Sequence, residues 1–312
     1  MKKIAVMGAN AARQKTLLFD RLVTGEVNRA CRMSELPSGK GINFCRAARN
    51  WGISDATVVQ FAGGDNGRYL VDALKKEELN AVTITSGAPL RCCMTCIDLA
   101  TRETTELIEP SGAASEAECA AFVSAFSSLL GENCAAAAIC GSLPDGTSPE
   151  LYWKIAKKAA EKSLPLLIDA FKNVERLLAL PGIILKINRS ELARLTGFSD
   201  IRNGIKHCFR NFSGITLAAI TDGPGDAWAS DGKALARYSI PPLKETGNPI
   251  GCGDTAGAVL LSELVNGTGW LEAFKLALGA ASANAETMTP AEFTAARGKE
   301  LASGIKTERI DL

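Results

Sequence analysis

Gly247-Asn-Pro-Ile-Gly-Cys-Gly-Asp-Thr-Ala-Gly-Ala-Val-Leu-Leu-Ser-Glu-Leu-Val-Asn-Gly267 joins a glycine-rich turn, Gly251-Cys252-Gly253, to a helix opening at Asp254. Val259, Leu260, Leu261, Leu264 and Val265 recur at helical spacing, and Asn266-Gly267 ends the run. Two glycines around one small residue let backbone N–H groups converge. The positive end of the helix adds to them, so the turn can hold an anion. Asp254 is open to two readings. It is either the N-cap of the helix, accepting a free N–H, or a base that draws the proton from a hydroxyl attacking a phosphoryl group held in the turn.

Upstream of this stretch, helices and strands alternate. Helices are expected over 115–130, 149–162, 174–180, 190–196 and 200–211, and strands over 136–140, 164–169, 183–187 and 215–221. The strands are near-continuous apolar runs between amphipathic helices, the pattern of a parallel sheet covered on both faces. Ligands of such sheets collect beyond the carboxyl ends of the strands. Gly141-Ser142, Asp169, Lys186-Ile-Asn188 and Thr221-Asp-Gly-Pro-Gly225 fall at such ends. Short β segments at 227–229 and 236–240 and a small-residue helix over 271–285 flank the opening stretch.

The first third differs. Residues 4–8 form a buried first strand, but no G-x-G-x-x-G follows, which disfavours a dinucleotide fold. Residues 14–37 and 89–109 alternate polar and apolar side chains and are expected to form a small sheet, a lid. The main α/β domain then comprises 1–13, 38–88 and 110–312. Within it, Gly39-Lys-Gly41 opens a helix over 42–51 and presents Lys40 and Asn43 at the positive end, a second anion site. A strand over 57–61, a glycine turn at 63–67 and a helix over 69–78 make one further β–turn–α unit.

Bulk properties exclude several classes. With 35 basic and 34 acidic residues the net charge is +1, and no basic run suits nucleic acid or an acidic membrane. No segment is long and apolar enough to span a bilayer, and the apolar run near Met1 is too short for a secretion signal. The ten cysteines show no zinc-ligand spacing, so they read as reduced packing thiols in a cytoplasmic protein. His207 is the only histidine and lies in an amphipathic helix, which excludes a Ser-His-Asp triad.

Gly39-Lys-Gly-Ile-Asn43, Lys186-Ile-Asn-Arg-Ser-Glu191, Thr221-x-Gly223 and Gly251-Cys-Gly-Asp254, in that order, resemble the ribokinase-like (phosphofructokinase B type) carbohydrate kinases nearly end to end. Gly25-Glu-Val-Asn-Arg29, Cys140-Gly-Ser-Leu-Pro144 and Met288-Thr-Pro290 are similar to the branch holding 1-phosphofructokinase and tagatose-6-phosphate kinase. The resemblance implies a three-layer α/β/α fold with a mostly parallel central sheet and a β-sheet lid through which two subunits can pair. It implies ATP and Mg2+ as cofactors and a sugar phosphate as substrate. Asp254 takes the place of the catalytic base, and Gly251, Cys252 and Gly253 that of the anion hole. Lys186, Asn188, Thr221, Gly223 and Gly225 fall at the ATP loops, and Glu191 acts on the metal largely through water. Arg29, Lys40 and Arg91 match the grip on the substrate's phosphate, and Gly39 and Asn43 the sugar-binding turn. Read without the resemblance, the three cations are solvated surface charges, and Asn43 bonds backbone in a first helical turn.

The departures concentrate in the sugar site. Gln14 stands where the branch has an Asp that grips hydroxyls, Ser38 replaces a glycine, Ile187 a proline and Cys252 an alanine. Gln carries no charge, so sugar choice is expected to differ. Two rivals therefore stand beside the sugar-phosphate kinase: a kinase of an unphosphorylated sugar or nucleoside, and a non-catalytic sugar-phosphate sensor.

Overall fold

Strand β1 (Lys3–Met7) turns Ile4 and Val6 into one hydrophobic core and Ala5 and Met7 into another, the mark of a strand covered on both faces. The computed structural model describes residues 2–53 and 55–310. After β1 the chain forms β2 (Ala12–Phe19), β3 (Arg32–Ser38), α1 (Lys40–Trp51), β4 (Ala56–Ala62), α2 (Gly64–Lys76) and β5 (Ala81–Thr85). It continues through β6 (Cys92–Asp98), β7 (Thr104–Ile108), α3 (Glu116–Leu129), β8 (Cys134–Cys140), α4 (Glu150–Glu161) and β9 (Leu166–Asp169). Then come β10 (Ile183–Asn188), α5 (Arg189–Thr196), α6 (Ile201–Asn211), β11 (Ile215–Thr221), β12 (Ala227–Ser230) and β13 (Leu235–Ser239). The last elements are α7 (Cys252–Val265), α8 (Trp270–Ala285), α9 (Ala295–Ser303) and β14 (Lys306–Ile310).

The main sheet has 10 strands in the order β14-β13-β12-β11-β10-β9-β8-β1-β4-β5. From β11 to β5 every neighbouring pair is parallel, whereas β12, β13 and β14 pair antiparallel at one edge. Ile42, Phe44, Leu70, Val259, Leu260, Phe274 and Leu301 bring α1, α2, α7, α8 and α9 onto one face, and Phe122, Ile155, Leu192 and Ile205 bring α3 to α6 onto the other. The layers are therefore α/β/α. A second, 4-stranded sheet in the order β3-β2-β6-β7 stands apart from it; β2 pairs parallel with β6, and the flanking pairs are antiparallel. Its middle strands hold Thr16 beside Thr95 in register.

Glycine contacts set how closely the sheet's helix approaches. A Cβ on Gly41 would come 2.6 Å from Gly8 Cα, so α1 lies directly on the end of β1 and its first turn reaches the strand ends. The turn expected at 63–67 is instead the start of α2, with Gly63 as N-cap and Asp65 in the first turn. Gly63 is required there because a side chain would drive into the carbonyl oxygens of Ser86 and Ala88. The helix expected over 174–180 is only a 3-10 turn, Leu177–Ala179, which buries Leu177 and Leu178 before the chain returns to β10. Strands β5 and β14 and helix α9 add elements beyond those read from sequence. All ten cysteines are free thiols, and all but Cys31 are buried or half-buried. Among the described residues no helix is long and apolar enough to cross a membrane.

Candidate active site

Helix α7 begins with Gly251 as its N-cap at φ 84°, in the left-handed region, and no side chain caps it. A Cβ on Gly251 would also meet the Ala291 nitrogen at 3.0 Å, so the turn is locked against the segment after α8. Asp254, in the first turn, is therefore not the N-cap. It is buried, and its Oδ2 accepts a 2.8 Å hydrogen bond from Asn43 Nδ2 of α1. The Cys252 N–H donates to the Pro249 carbonyl. The amides of Gly253 and Asp254 belong to the first turn of the helix, where backbone donors lack intrahelical partners.

Charged side chains gather around this carboxylate from the neighbouring strand ends. Lys40, the first residue of α1, places Nζ 2.8 Å from Asp169 Oδ1 and 3.5 Å from Glu191 Oε1. Asp169 ends β9 and is 2% exposed. Its other oxygen, Oδ2, lies 3.4 Å from Nζ of the buried Lys186 on β10. Lys186 also backs the glycine turn, since a Cβ on Gly253 would be 3.0 Å from its Nζ. Lys40, Asn43, Asp169, Lys186, Glu191 and Asp254 thus form one connected cluster.

Asn188 and Glu191 build the start of α5. The Asn188 side chain accepts from the Glu191 amide at 2.9 Å, and Glu191 Oε2 accepts from the Asn188 amide at 2.9 Å, a reciprocal capping box. Asn188 lies in register with Thr221 at the end of β11. Gly223 follows at φ 55°, and the Gly225 amide bonds the Asp222 carbonyl at 2.8 Å, so these residues form a tight loop beside Asn188. An ion pair from Arg189 to Asp222 at 3.1 Å ties the two loops together.

The residues expected around the sugar are placed less uniformly. Gly39 and Arg91 flank the same backbone: a Cβ on Gly39 would sit 3.5 Å from the Asn10 carbonyl oxygen, to which Arg91 Nη2 donates at 3.1 Å. Among the described residues Arg91 Nε has no hydrogen-bond partner, an open donor next to the turn. Gln14 is buried in β2, and its amide donates to Thr95 Oγ1 at 2.8 Å and to the Lys15 carbonyl at 3.1 Å. Both of its donors are thus spent inside the small sheet. Arg29 is exposed in the connection between β2 and β3 and is not brought to the cluster.

Electrostatics separate the two buried aspartates. Burial and the nearby Asp169 charge push the Asp254 carboxyl up to about 6, against the pull of Lys40, the Asn43 hydrogen bond and Lys186. Burial would raise Asp169 as well, but Lys186 and Lys40 together hold it below the ordinary carboxylate value. Burial opposes the Lys40 charge, yet Asp169, Asp254 and Glu191 outweigh it and keep the ammonium protonated. One carboxylate is therefore a fixed anion and the other a base poised near neutrality. The Cys252 thiol, whose Sγ accepts from Asn284 Nδ2 at 3.0 Å, is pushed up to about 11 by burial and stays protonated. Among the described residues no three His, Cys, Asp or Glu side chains converge as a metal centre. Two carboxylates that share one lysine suit a hydrated hard cation that takes its other ligands from a substrate.

Arg46 belongs to this site although nothing in the sequence reading singled it out, and Asp169 belongs to it with no role assigned there. Asp169 was legible only as the polar end of an apolar strand. Arg46 sits one helical turn beyond Asn43 and donates to its Oδ1 at 3.1 Å, a spacing that i, i+3 reasoning could have found.

A poised carboxylate beside paired cations, on the strand ends of a three-layer α/β/α sheet, suits a phosphotransferase. The family model described as pfkB family carbohydrate kinase matches residues 1–295, and the chain belongs to that family. It is accordingly a carbohydrate kinase. A mutant of phosphofructokinase-2 from Escherichia coli is similar in structure, with a TM-score of 0.87 at 21% identity over 97% of this chain and 99% of that one. A possible 1-phosphofructokinase of Thermotoga maritima superposes with a TM-score of 0.88 at 16% identity, covering 99% of this chain and 100% of that one. Arabidopsis thaliana ribokinase, solved with ribose and ATP, gives 0.73 at 19% identity over 97% and 99%. At these identities the structures establish a shared ribokinase-like fold.

Proposed function

We propose that the protein transfers the γ-phosphoryl group of ATP to a hydroxyl of a hexose phosphate, of the fructose-1-phosphate or tagatose-6-phosphate type, with Asp254 as the base. The observation that carries this is the buried Asp254 carboxylate, held on one oxygen by Asn43 at the mouth of the glycine turn. Its Oδ1 is left to take the proton of the attacking hydroxyl. The amides of the turn, with Lys186 behind them, face the place where negative charge builds on the transferring group. Lys40 and Arg91 lie on the α1 side, where a phosphate already on the sugar would be held. Thr221, Gly223, Gly225 and Asn188 flank the ATP side. Glu191, acting through water with Asp169 near, would hold Mg2+, which would supply positive charge to offset the negative charge of the phosphates. Little covalent work is left to the protein, so positioning and charge carry the rate.

The small sheet serves as the lid over the sugar, and its face bearing the exposed Met33 and Leu107 offers a surface for a second copy. Phosphofructokinase-2 of E. coli has been solved in a tetrameric inhibited form. The exposure of Arg29 and the spent donors of Gln14 favour one second reading, a kinase of an unphosphorylated sugar. ADP release with Mg-ATP, across fructose, tagatose and glucose phosphates beside free sugars and nucleosides, separates the two. Selective turnover of one phosphosugar supports the proposal, turnover of a free sugar or nucleoside supports the second reading, and silence with tight sugar-phosphate binding refutes both in favour of a sensor.

A further inference from the structure

Arg46 is 4% exposed on α1, and all of its donors are used. Nε and Nη2 both reach Glu77 Oε2, at 3.0 and 2.9 Å, where α2 ends. Nη2 also donates to the Pro37 carbonyl at 3.0 Å, and Nη1 to the Pro290 carbonyl at 3.3 Å and to Asn43 Oδ1 at 3.1 Å. Asn43, 3% exposed, receives a further, longer hydrogen bond from Ser38 Oγ at 3.4 Å on the same oxygen. A carboxamide with a guanidinium at its oxygen has one orientation available: Nδ2 points away, at Asp254 Oδ2. The arrangement is a chain, Glu77–Arg46–Asn43–Asp254, that carries polarisation from a cation to the candidate base. The same guanidinium grips the carbonyl of Pro290, whose side chain lies within 3.1 Å of where a Cβ on Gly251 would sit. Arg46 thus braces both the base and the glycine turn.

We infer that Arg46, anchored by Glu77, is a positioning residue that fixes the Asn43 amide and, through it, the Asp254 carboxylate for the phosphoryl transfer. This rests on the functional reading above only for the word transfer; the orientation of Asp254 is a separate measurement. Lysine cannot replace Arg46, because one ammonium cannot serve Glu77, two carbonyls and the Asn43 oxygen in a fixed plane. Without the guanidinium, only the longer Ser38 hydrogen bond orients the Asn43 amide among the described residues, and the hold of its Nδ2 on Asp254 weakens. The other groups facing Asp254 stay in place: Lys40 from α1, Asp169 from β9, Lys186 from β10, the Cys140 thiol from β8 and the Cys252 thiol from α7 itself. Any change in its titration therefore reports on Asn43.

The test follows the Asp254 carboxyl carbon by 13C NMR in the full-length protein labelled at aspartate side chains, its resonance assigned by its absence from Asp254→Asn. In Arg46→Lys the titration midpoint is expected to rise by about one pH unit, the effect of losing one charge-assisted hydrogen bond. Glu77→Asp, which keeps the charge but shortens the anchor's reach to Arg46, is expected to move it in the same direction by less. The acid limb of kcat, measured with Mg-ATP and fructose 1-phosphate or tagatose 6-phosphate, should shift with it while the KM for ATP stays constant. An unmoved midpoint in folded Arg46→Lys overturns the inference, and so does one in the charge-conserving Glu77→Asp should Arg46→Lys fail to fold. Wild-type turnover in Asp254→Asn would instead remove the base assignment and leave the NMR result to decide the positioning.

Discussion

Replacing Asp254 by Asn should make the protein more stable and nearly inactive, and the size of the gain follows from the burial of the site. The carboxyl titrates near 3.8 when unperturbed and at about 6 in the folded chain, a difference of about two units. The unfolded chain therefore ionises first as pH rises, and the folded state is left holding a proton it must give up against burial and the Asp169 charge. Stability linked to this group is complete below pH 3.8, falls between 3.8 and 6, and stays low above. At about 1.4 kcal/mol per unit, the cost is roughly 1–2 kcal/mol at pH 5 and about 3 kcal/mol at pH 7.5. Asparagine copies the shape of the neutral acid and escapes that cost. With an unfolding entropy of ~2.1 cal/mol/K per residue, 3 kcal/mol corresponds to roughly 4–5 °C in a chain of 312 residues. Turnover should fall by about two to four powers of ten through loss of the base. Urea and thermal unfolding of both proteins at pH 5 and 7.5 provide the measurement. An Asn variant no more stable than wild type at pH 7.5 would refute the reasoning, because it would mean that water or a donor already solvates the carboxylate.

Three further substitutions probe the surrounding parts. Lys186→Met removes the cation behind the turn and should lower kcat by about a hundredfold or more, as for other lost oxyanion donors; it should also move the acid limb upward, since a cation that favours the Asp254 carboxylate is gone, which a pH–rate profile reads. Gly253→Ala pushes a methyl to 3.0 Å from Lys186 Nζ, the far end of a flexible side chain, so unfolding midpoints should change little while kcat falls about tenfold. Gly279→Ala on α8 drives a methyl into the Gly298 carbonyl and Ala302, which have no room to retreat between packed helices; a loss of about 1–3 kcal/mol in urea unfolding with unchanged KM values is expected.

Most of the sheet was legible because its strands are apolar without interruption, as in Ala136-Ala-Ala-Ile-Cys140, and buried on both faces. The elements that escaped lack that signal for identifiable reasons. Strand β14, Lys-Thr-Glu-Arg-Ile, is an exposed edge whose polar residues owe their conformation to pairing with β13. Helix α9 packs on α8 through the close approach of Gly279 and Gly298, so it has little of the large apolar stripe that a periodicity search detects. The 174–180 segment, expected to be a helix, fills the core with Leu177 and Leu178 from a single 3-10 turn. In the site, glycines announced Lys40, Asn43 and Asp254, because they mark helix starts where backbone donors are free. Nothing local announces that Arg46 meets Glu77 or that Lys40 meets Asp169, since those contacts exist only once α1, α2 and β9 are packed.

The cluster also explains why substitution of Asp254 should leave the fold standing. Two continuous hydrophobic cores lie on either side of the sheet, and neither includes Lys40, Asp169, Lys186 or Asp254, which sit near the carboxyl ends of β9 and β10 and in the first turns of α1 and α7. Buried ion pairs contribute little net stability once desolvation is counted, and a lone buried carboxylate costs stability outright. Lys40 and Lys186 are better described as offsetting the burial of Asp169 than as holding the protein together. Asp169 in turn keeps both ammonium groups in place while raising the affinity of Asp254 for a proton, so one carboxylate organises the cations and the other is left under-compensated. That imbalance is destabilising as structure, and it is the same property that makes Asp254 basic enough to accept a proton near neutral pH.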